Sequence, residues 1–284
     1  MKKLLFLVFI SIFSFSLFGK CGSSGIWVFP NGDIISKKSI IMIEGYAKSQ
    51  EVIKNLKEAN QVYLKSKNHI VKLKVEDIYI GSFNLTQAIL IPKEDLIVGD
   101  EYSLQMNTHG LMIPIHKIGK YGKPASWKVN DEIDNEKPSW SSGIRPKFIN
   151  TSYTRYGCGP AIYAHFNIII NDKSETLVKT EVMNIETKNS TTYYLISKDG
   201  KLNVGHGMCL GAFSFRKNDK YKVRFDLMDA NGNSFGKWSE WTKIDNFQSK
   251  LGRFNYSMNN HLSLPIGILL FFIAVFMKKH SNKV

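Results

Sequence analysis

Tyr221-Lys222-Val223-Arg224-Phe225-Asp226-Leu227-Met228 alternates apolar and polar residues, and the turn-forming Asp229-Ala230-Asn231-Gly232-Asn233 follows it. A period of two puts Tyr221, Val223, Phe225 and Leu227 on one face of a strand and Lys222 and Arg224 on the other. The same short-period pattern marks 161–170, 176–183, 191–196, 212–215 and 241–244 around it. A second set lies nearer the N-terminus, at 39–46, 61–64, 70–75, 87–91 and 102–106. One interruption, 49–60, carries Val52, Ile53 and Leu56 at helical spacing behind a Ser49 cap, which predicts a short helix or turn. Short strands at this spacing predict an all-β chain of antiparallel sandwiches.

The two sets are separated by Asp131-Glu132-Ile133-Asp134-Asn135-Glu136-Lys137-Pro138, charged, poor in core residues and closed by a proline. That composition predicts a linker at 131–138 between one sandwich at 20–130 and another at 139–248.

In the second module, Gly236-Lys237-Trp238-Ser239-Glu240-Trp241-Thr242 after the 221–228 strand resembles the last hairpin of a fibronectin type III domain. The Trp-Ser-x-Trp element is similar to that of cytokine-receptor type III domains, with Thr242 where that family has its second Ser. The resemblance implies a ladder in which Lys222 and Arg224 lie over Trp238 and Trp241 as cation-π partners. It covers about 25 residues and implies no ligand, because type III folds host unrelated functions. In the first module, the run from Leu90-Ile91-Pro92 through Gly99-Asp100-Glu101-Tyr102 resembles the strand E to strand F passage of bacterial Ig-like domains. It implies a tyrosine corner at Tyr102. Tyr221 holds the equivalent place after Phe213-Ser214-Phe215, so the chain resembles a divergent tandem pair of Ig-like or type III-like surface domains.

The ends predict the compartment. Met1-Lys2-Lys3 followed by Leu4-Leu5-Phe6-Leu7-Val8-Phe9-Ile10 has the charged and apolar regions of a signal peptide, 1–19. Residues 262–277 form an uncharged run followed by Lys278-Lys279-His280. As a helix it rises about 24 Å, long enough for a single span with some local thinning. The basic tail, 278–284, then faces the cytoplasm and the sandwiches lie outside, with 249–261 as a juxtamembrane stalk. Apolar segment followed by basic tail is also the layout of a bacterial sorting signal that is removed.

The full chain of 284 residues carries 38 basic and 24 acidic side chains, a net charge of +14, and 43% hydrophobic residues, which excludes a disordered chain. Setting aside Lys2, Lys3, Lys278, Lys279 and Lys283 at the ends leaves +9. No Lys/Arg block accompanies that charge, so it favours acidic surfaces in general and gives no nucleic-acid signature.

Cys21, Cys158 and Cys209 are the three cysteines. In an oxidising compartment, the economical arrangement bridges Cys158 to Cys209 within the second module and leaves Cys21 near the mature N-terminus, where lipidation is a further possibility. The alternative is a metal site of Cys158, His165, His206 and Cys209, whose donor types suit zinc or copper. Glycines crowd this region (Gly157, Gly159, Gly205, Gly207, Gly211) and allow close approach of a ligand. Asp229 to Asn233 resembles part of a calcium loop without its closing Glu and fits a hairpin turn better. No Gly-x-Ser-x-Gly, His-Glu-x-x-His or phosphate-cradling glycine loop occurs, so no enzyme and no cofactor is expected. The expected function is a membrane-tethered extracytoplasmic module that binds an envelope or extracellular protein or glycan. The alternatives are a structural spacer of the cell envelope or a metal-handling or redox protein.

Overall fold

The structure, a computed structural model, describes residues 21, 23–56, 62–106, 115–117, 125–141, 145–216 and 219–244. The expected signal peptide, stalk, span and tail lie outside them. Among the described residues, no helix is long and apolar enough to cross a membrane.

The chain is mostly β, in sandwich-like sheets. Its first half contributes β1 (Gly25–Phe29), β2 (Ile34–Ser36), β3 (Ile41–Tyr46), β4 (Val62–Lys65), β5 (Ile70–Ile80), β6 (Leu85–Pro92), β7 (Glu101–Met106), β8 (Ile115–Lys117) and β9 (Ser126–Asn130). They hydrogen-bond in the order β2-β9-β7-β4-β5-β6-β3-β1-β8. The long β5 turns this sheet back on itself: its first residues pair with β4, its later ones with β6, and a bulge between Val75 and Asp77 lies along the second pairing. The fold encloses Ile26, Val28, Ile41, Ile43, Leu64, Val71, Leu90, Tyr102, Leu104 and Trp127. Helix α1 (Gln50–Lys54) follows a 3-10 turn and buries Ile53; the Ser49 side chain makes no capping bond.

The second half holds a two-stranded pair of β10 (Ser139–Trp140) and β13 (Ile170–Asn171) and two larger sheets. One has three strands, β11 (Lys147–Tyr156), β12 (Gly159–Asn167) and β16 (Lys201–His206). The other orders β15 (Ser190–Leu195), β14 (Thr176–Asn184), β17 (Tyr221–Asp229) and β18 (Thr242–Ile244). Alternation aims Val178, Val182, Val223, Phe225 and Leu227 inward, and the Phe225 and Phe166 rings meet edge to face at 5.0 Å. The strand expected at 212–215 is instead an irregular segment. Ala212, Phe213 and Phe215 are buried all the same, and Phe213 packs edge-on against Tyr193. The apolar alternation of 212–215 reflects burial without strand pairing.

The halves are packed together rather than strung on a linker. A second core joins Phe29, Ile40, Met42 and Ile89 of the first half to Leu177, Tyr194 and Ala230 of the second. Fully burying side chains of this size contributes about 1.5–3 kcal/mol each. Backbone bonds also cross: Ile40 N–H to Ala230 O at 2.9 Å, Ser82 N–H to Ala212 O at 2.8 Å, and Gly211 N–H to Phe83 O at 2.7 Å. This explains why β3 and β6 read as nearly continuous apolar runs, since both their faces are covered.

Candidate functional site

Strand pairing sets Tyr194, Lys179 and Asp226 in one row and Thr192, Glu181 and Arg224 in the next, all on the outer face of the four-stranded sheet. The segment before β18 tracks β17 through Ser239, whose N–H bonds Phe225 O at 2.7 Å and whose Oγ accepts from Phe225 N–H at 3.0 Å. It lays Trp238 and Trp241 over that face. Lys222 Nζ lies 4.3 Å from the Trp241 ring centre, and the Arg224 guanidinium is 4.5 Å from Trp241 and 4.6 Å from Trp238. Arg224 also donates to Glu181 Oε2 at 2.6 Å, which fixes the guanidinium plane. The stack then continues beyond the four residues expected from the sequence. Lys179 Nζ sits 5.7 Å from Trp238, 5.8 Å from Tyr194 and 5.9 Å from Tyr79, the last on β5 of the other half. Lys179 and Glu181 alternate within 176–184, so their shared face was readable; Tyr79 was not, because only packing of the halves brings it there.

Tyr102 and Tyr221 each accept a bond from the N–H five residues earlier, Ile97 at 3.1 Å and Arg216 at 2.9 Å. Tyr102 OH also meets His69 Nδ1 at 2.7 Å, and Tyr221 OH donates to Asp219 at 3.2 Å.

Between the halves lies a cavity of about 280 Å³ whose lining includes Trp27, Met42 and Glu44 from one side and Tyr163, Tyr194 and Leu210 from the other. Trp27, Glu44 and Gln87 form one row across β1, β3 and β6. Burial pushes the Glu44 carboxyl up to about 7, although donors on Tyr193 and Gln87 pull it partway back. Burial and the Glu44 charge together hold the Tyr193 phenol well above its ordinary value. A carboxyl poised between its two forms among aromatic walls can accept or release a proton near neutrality and can attract a cation. Nothing in the sequence distinguished Glu44 from a surface residue.

The cysteines are arranged otherwise than expected. Cys209 is bonded to Cys21, 188 residues away, and not to Cys158. The pairing within one module was economical in sequence, but packing of the halves brings the segment leading into β1 beside the loop after β16. Cys158 stays close, with all three sulfurs within 4.8 Å of one another. His165 and His206 do not join them in a ligand set. His165 pairs with Asn203, three positions along the β12–β16 ladder from the Ile162–His206 pair, so alternation sends the imidazoles to opposite faces. His165 is engaged by Ser152 Oγ and Asn203 Oδ1, each at 2.7 Å, and His206 Nδ1 by Gly207 O at 2.8 Å. Gly205 holds a positive φ of +150°, and a Cβ there would stand 2.0 Å from Ile162 O, so that glycine serves a close strand approach.

Asp134, Asp172 and Asp229 bring carboxylate oxygens within 4.8 Å of one another. Burial is the main cause raising both Asp172, to about 6, and Asp229. Their acceptors are used locally: Asp229 receives Asn231 N–H at 2.9 Å and Asn233 N–H at 2.8 Å, and Asn233 Nδ2 donates onward to Asp134 O at 2.7 Å. This is hairpin-turn bonding, and it ties the 131–138 stretch to the second half.

No family model matches the chain, and no curated protein matches it. Among solved structures it is weakly similar to pullulanase type I from Bacillus subtilis str. 168, at 10% identity and TM-score 0.24 over 78% of this chain and 24% of that one. The chain thus spans about a quarter of the length of that enzyme. A chain of a cytokine receptor complex aligns at 9% identity and TM-score 0.25 over 80% and 99%. Tandem Ig repeats of Dlar align at 8% identity and TM-score 0.21 over 78% and 97%. Likenesses at such TM-scores carry no argument about what this chain does.

Proposed function

We propose that the chain is a membrane-tethered extracytoplasmic binding protein, in which an Ig-like and a fibronectin type III-like sandwich act as one unit to recognise an envelope or extracellular protein or glycan without catalysis. The observation that carries this reading is the joint: a shared core, crossing backbone bonds and a cavity walled from both halves. A surface composed of two halves needs a fixed angle between them, and preorganisation of that kind lowers the entropic cost of recognition. The type III comparison draws support from the three-plus-four strand arrangement and the Trp238–Trp241 stack. Export by 1–19 and tethering by 262–277 rest on the charge and hydropathy of those segments.

A spacer is the second reading, favoured by the same joint, since a jointed tandem holds distance well. Full-length protein in detergent, passed over immobilised envelope proteins and glycans, separates the two. Binding predicts saturable retention that falls at least tenfold in Glu44→Lys, which puts a cation where the carboxyl lines the cavity. No retention on any surface sinks the binding reading and leaves the spacer.

A further inference from the structure

The three cysteine sulfurs arrive from three separate places. Cys21 precedes β1 in the first half, Cys209 lies in the loop after β16, and Cys158 is at the tip of the β11–β12 hairpin. The β12–β16 ladder, with Ile162 opposite His206, brings the hairpin tip and the loop to the same end of the sheet. They lie in contact there: a Cβ built on Gly159 would stand 3.3 Å from Met208 O. Asn84 Nδ2 binds Cys209 O at 3.0 Å, which anchors the same loop to the first half. Cys158 thus presents a third sulfur to a formed disulfide, with every sulfur within 4.8 Å of the others. Disulfides exchange by attack of a thiolate on one sulfur of such a bond, and side-chain rotation covers a gap of this size.

We propose that Cys21, Cys158 and Cys209 form a thiol–disulfide exchange site in which Cys158 displaces Cys21 from Cys209. The Cys158 thiol first gives its proton to solvent. Its thiolate attacks Cys209 Sγ, the Cys158–Cys209 bond forms, the Cys21–Cys209 bond breaks, and Cys21 leaves as a thiolate that takes a proton back. One disulfide and one thiol stand on each side, so no oxidant or reductant is consumed. The two states differ in what they tie together. Cys21–Cys209 is a covalent link between the halves, whereas Cys158–Cys209 lies wholly within the second half and releases the N-terminal segment. The exchange therefore moves one crosslink on or off the joint without changing the oxidation state.

The test uses full-length protein purified without reductant. One sample is quenched at once in denaturing acid, another after incubation at about pH 8, where a cysteine of ordinary pKa is appreciably thiolate. Both are then labelled with a maleimide and mapped by mass spectrometry without reduction. One label per chain is expected throughout. Acid quenching should place it mainly on Cys158, and incubation should raise the share on Cys21 several-fold, with a matching Cys158–Cys209 crosslinked peptide. Label confined to Cys158 under both conditions overturns the proposal. In a Cys21→Ser protein treated with oxidised glutathione as the oxidant, a Cys158–Cys209 bridge with no label is expected, and two thiols still labelled after that treatment count against the geometry the exchange requires.

Discussion

The Gln87 side chain bonds the backbone of Tyr194 as a neighbouring strand would: Tyr194 N–H donates to Gln87 Oε1 at 2.6 Å, and Gln87 Nε2 donates to Tyr194 O at 3.2 Å. Gln87 is fully buried. Replacing it by leucine keeps the bulk but strands a buried N–H and a buried carbonyl, each costing about 1–3 kcal/mol. Gln87→Leu should therefore lower stability by about 2–4 kcal/mol in urea unfolding. A midpoint shift within error of wild type would mean that the joint does not depend on this pair.

Arg224 sits between two indoles with Glu181 at its edge, both members of the ion pair being partly or largely shielded from solvent. Arg224→Lys keeps the charge and loses the flat guanidinium, so we expect a loss of about 0.5–2 kcal/mol, and a larger one for Arg224→Ala, which also leaves Glu181 without its partner. Thermal unfolding together with near-ultraviolet circular dichroism of the tryptophans checks the order. Equal effects of the two substitutions would contradict a stacking role.

The Glu44 carboxyl is raised from an ordinary 4.5 to about 7, so the folded state holds a proton that the unfolded state releases. Its stabilising contribution is complete below about pH 4.5 and is lost as pH rises through about 7, amounting to a few kcal/mol at most. Asp172, raised to about 6, works in the same direction. Stability should therefore fall between about pH 5 and pH 8, and Glu44→Gln should flatten that slope and stabilise the protein at the upper end. Unfolding curves across the range measure this; a slope unaffected by the substitution would assign it to other groups.

The two corner tyrosines allow a matched comparison. Tyr102→Phe and Tyr221→Phe each remove the acceptor for an N–H five residues back, worth about 0.5–1.5 kcal/mol for a typical bond. Tyr102 is fully buried and also meets His69, so its substitution should cost more. The reverse order in denaturant titrations would undo the argument.

What the sequence disclosed and what it hid follow from the range of the interactions. The 221–228 alternation disclosed the strand, its inner face and the cations that meet Trp238 and Trp241, because each depends on neighbours along one or two strands. Strand β11 is not legible in the sequence because its exposed, polar-rich residues lack a clean apolar face. Segment 212–215 misled because a loop can be as buried as a strand. The Cys21–Cys209 bridge, the Glu44 cavity and Tyr79 in the ladder all depend on how the halves meet. The apolar run Ile40-Ile41-Met42-Ile43 that leads into β3 was the local hint that another layer covers it.

Lys179 lies at nearly equal distances from Trp238 and Tyr79, one ring on each side of the joint. Indole emission responds to a charge close to its ring, and the Tyr79 ring of the other half helps to hold this ammonium beside Trp238. The chain therefore carries a native optical gauge: a change in Trp238 fluorescence would register the moment the halves part, without a dye or a label.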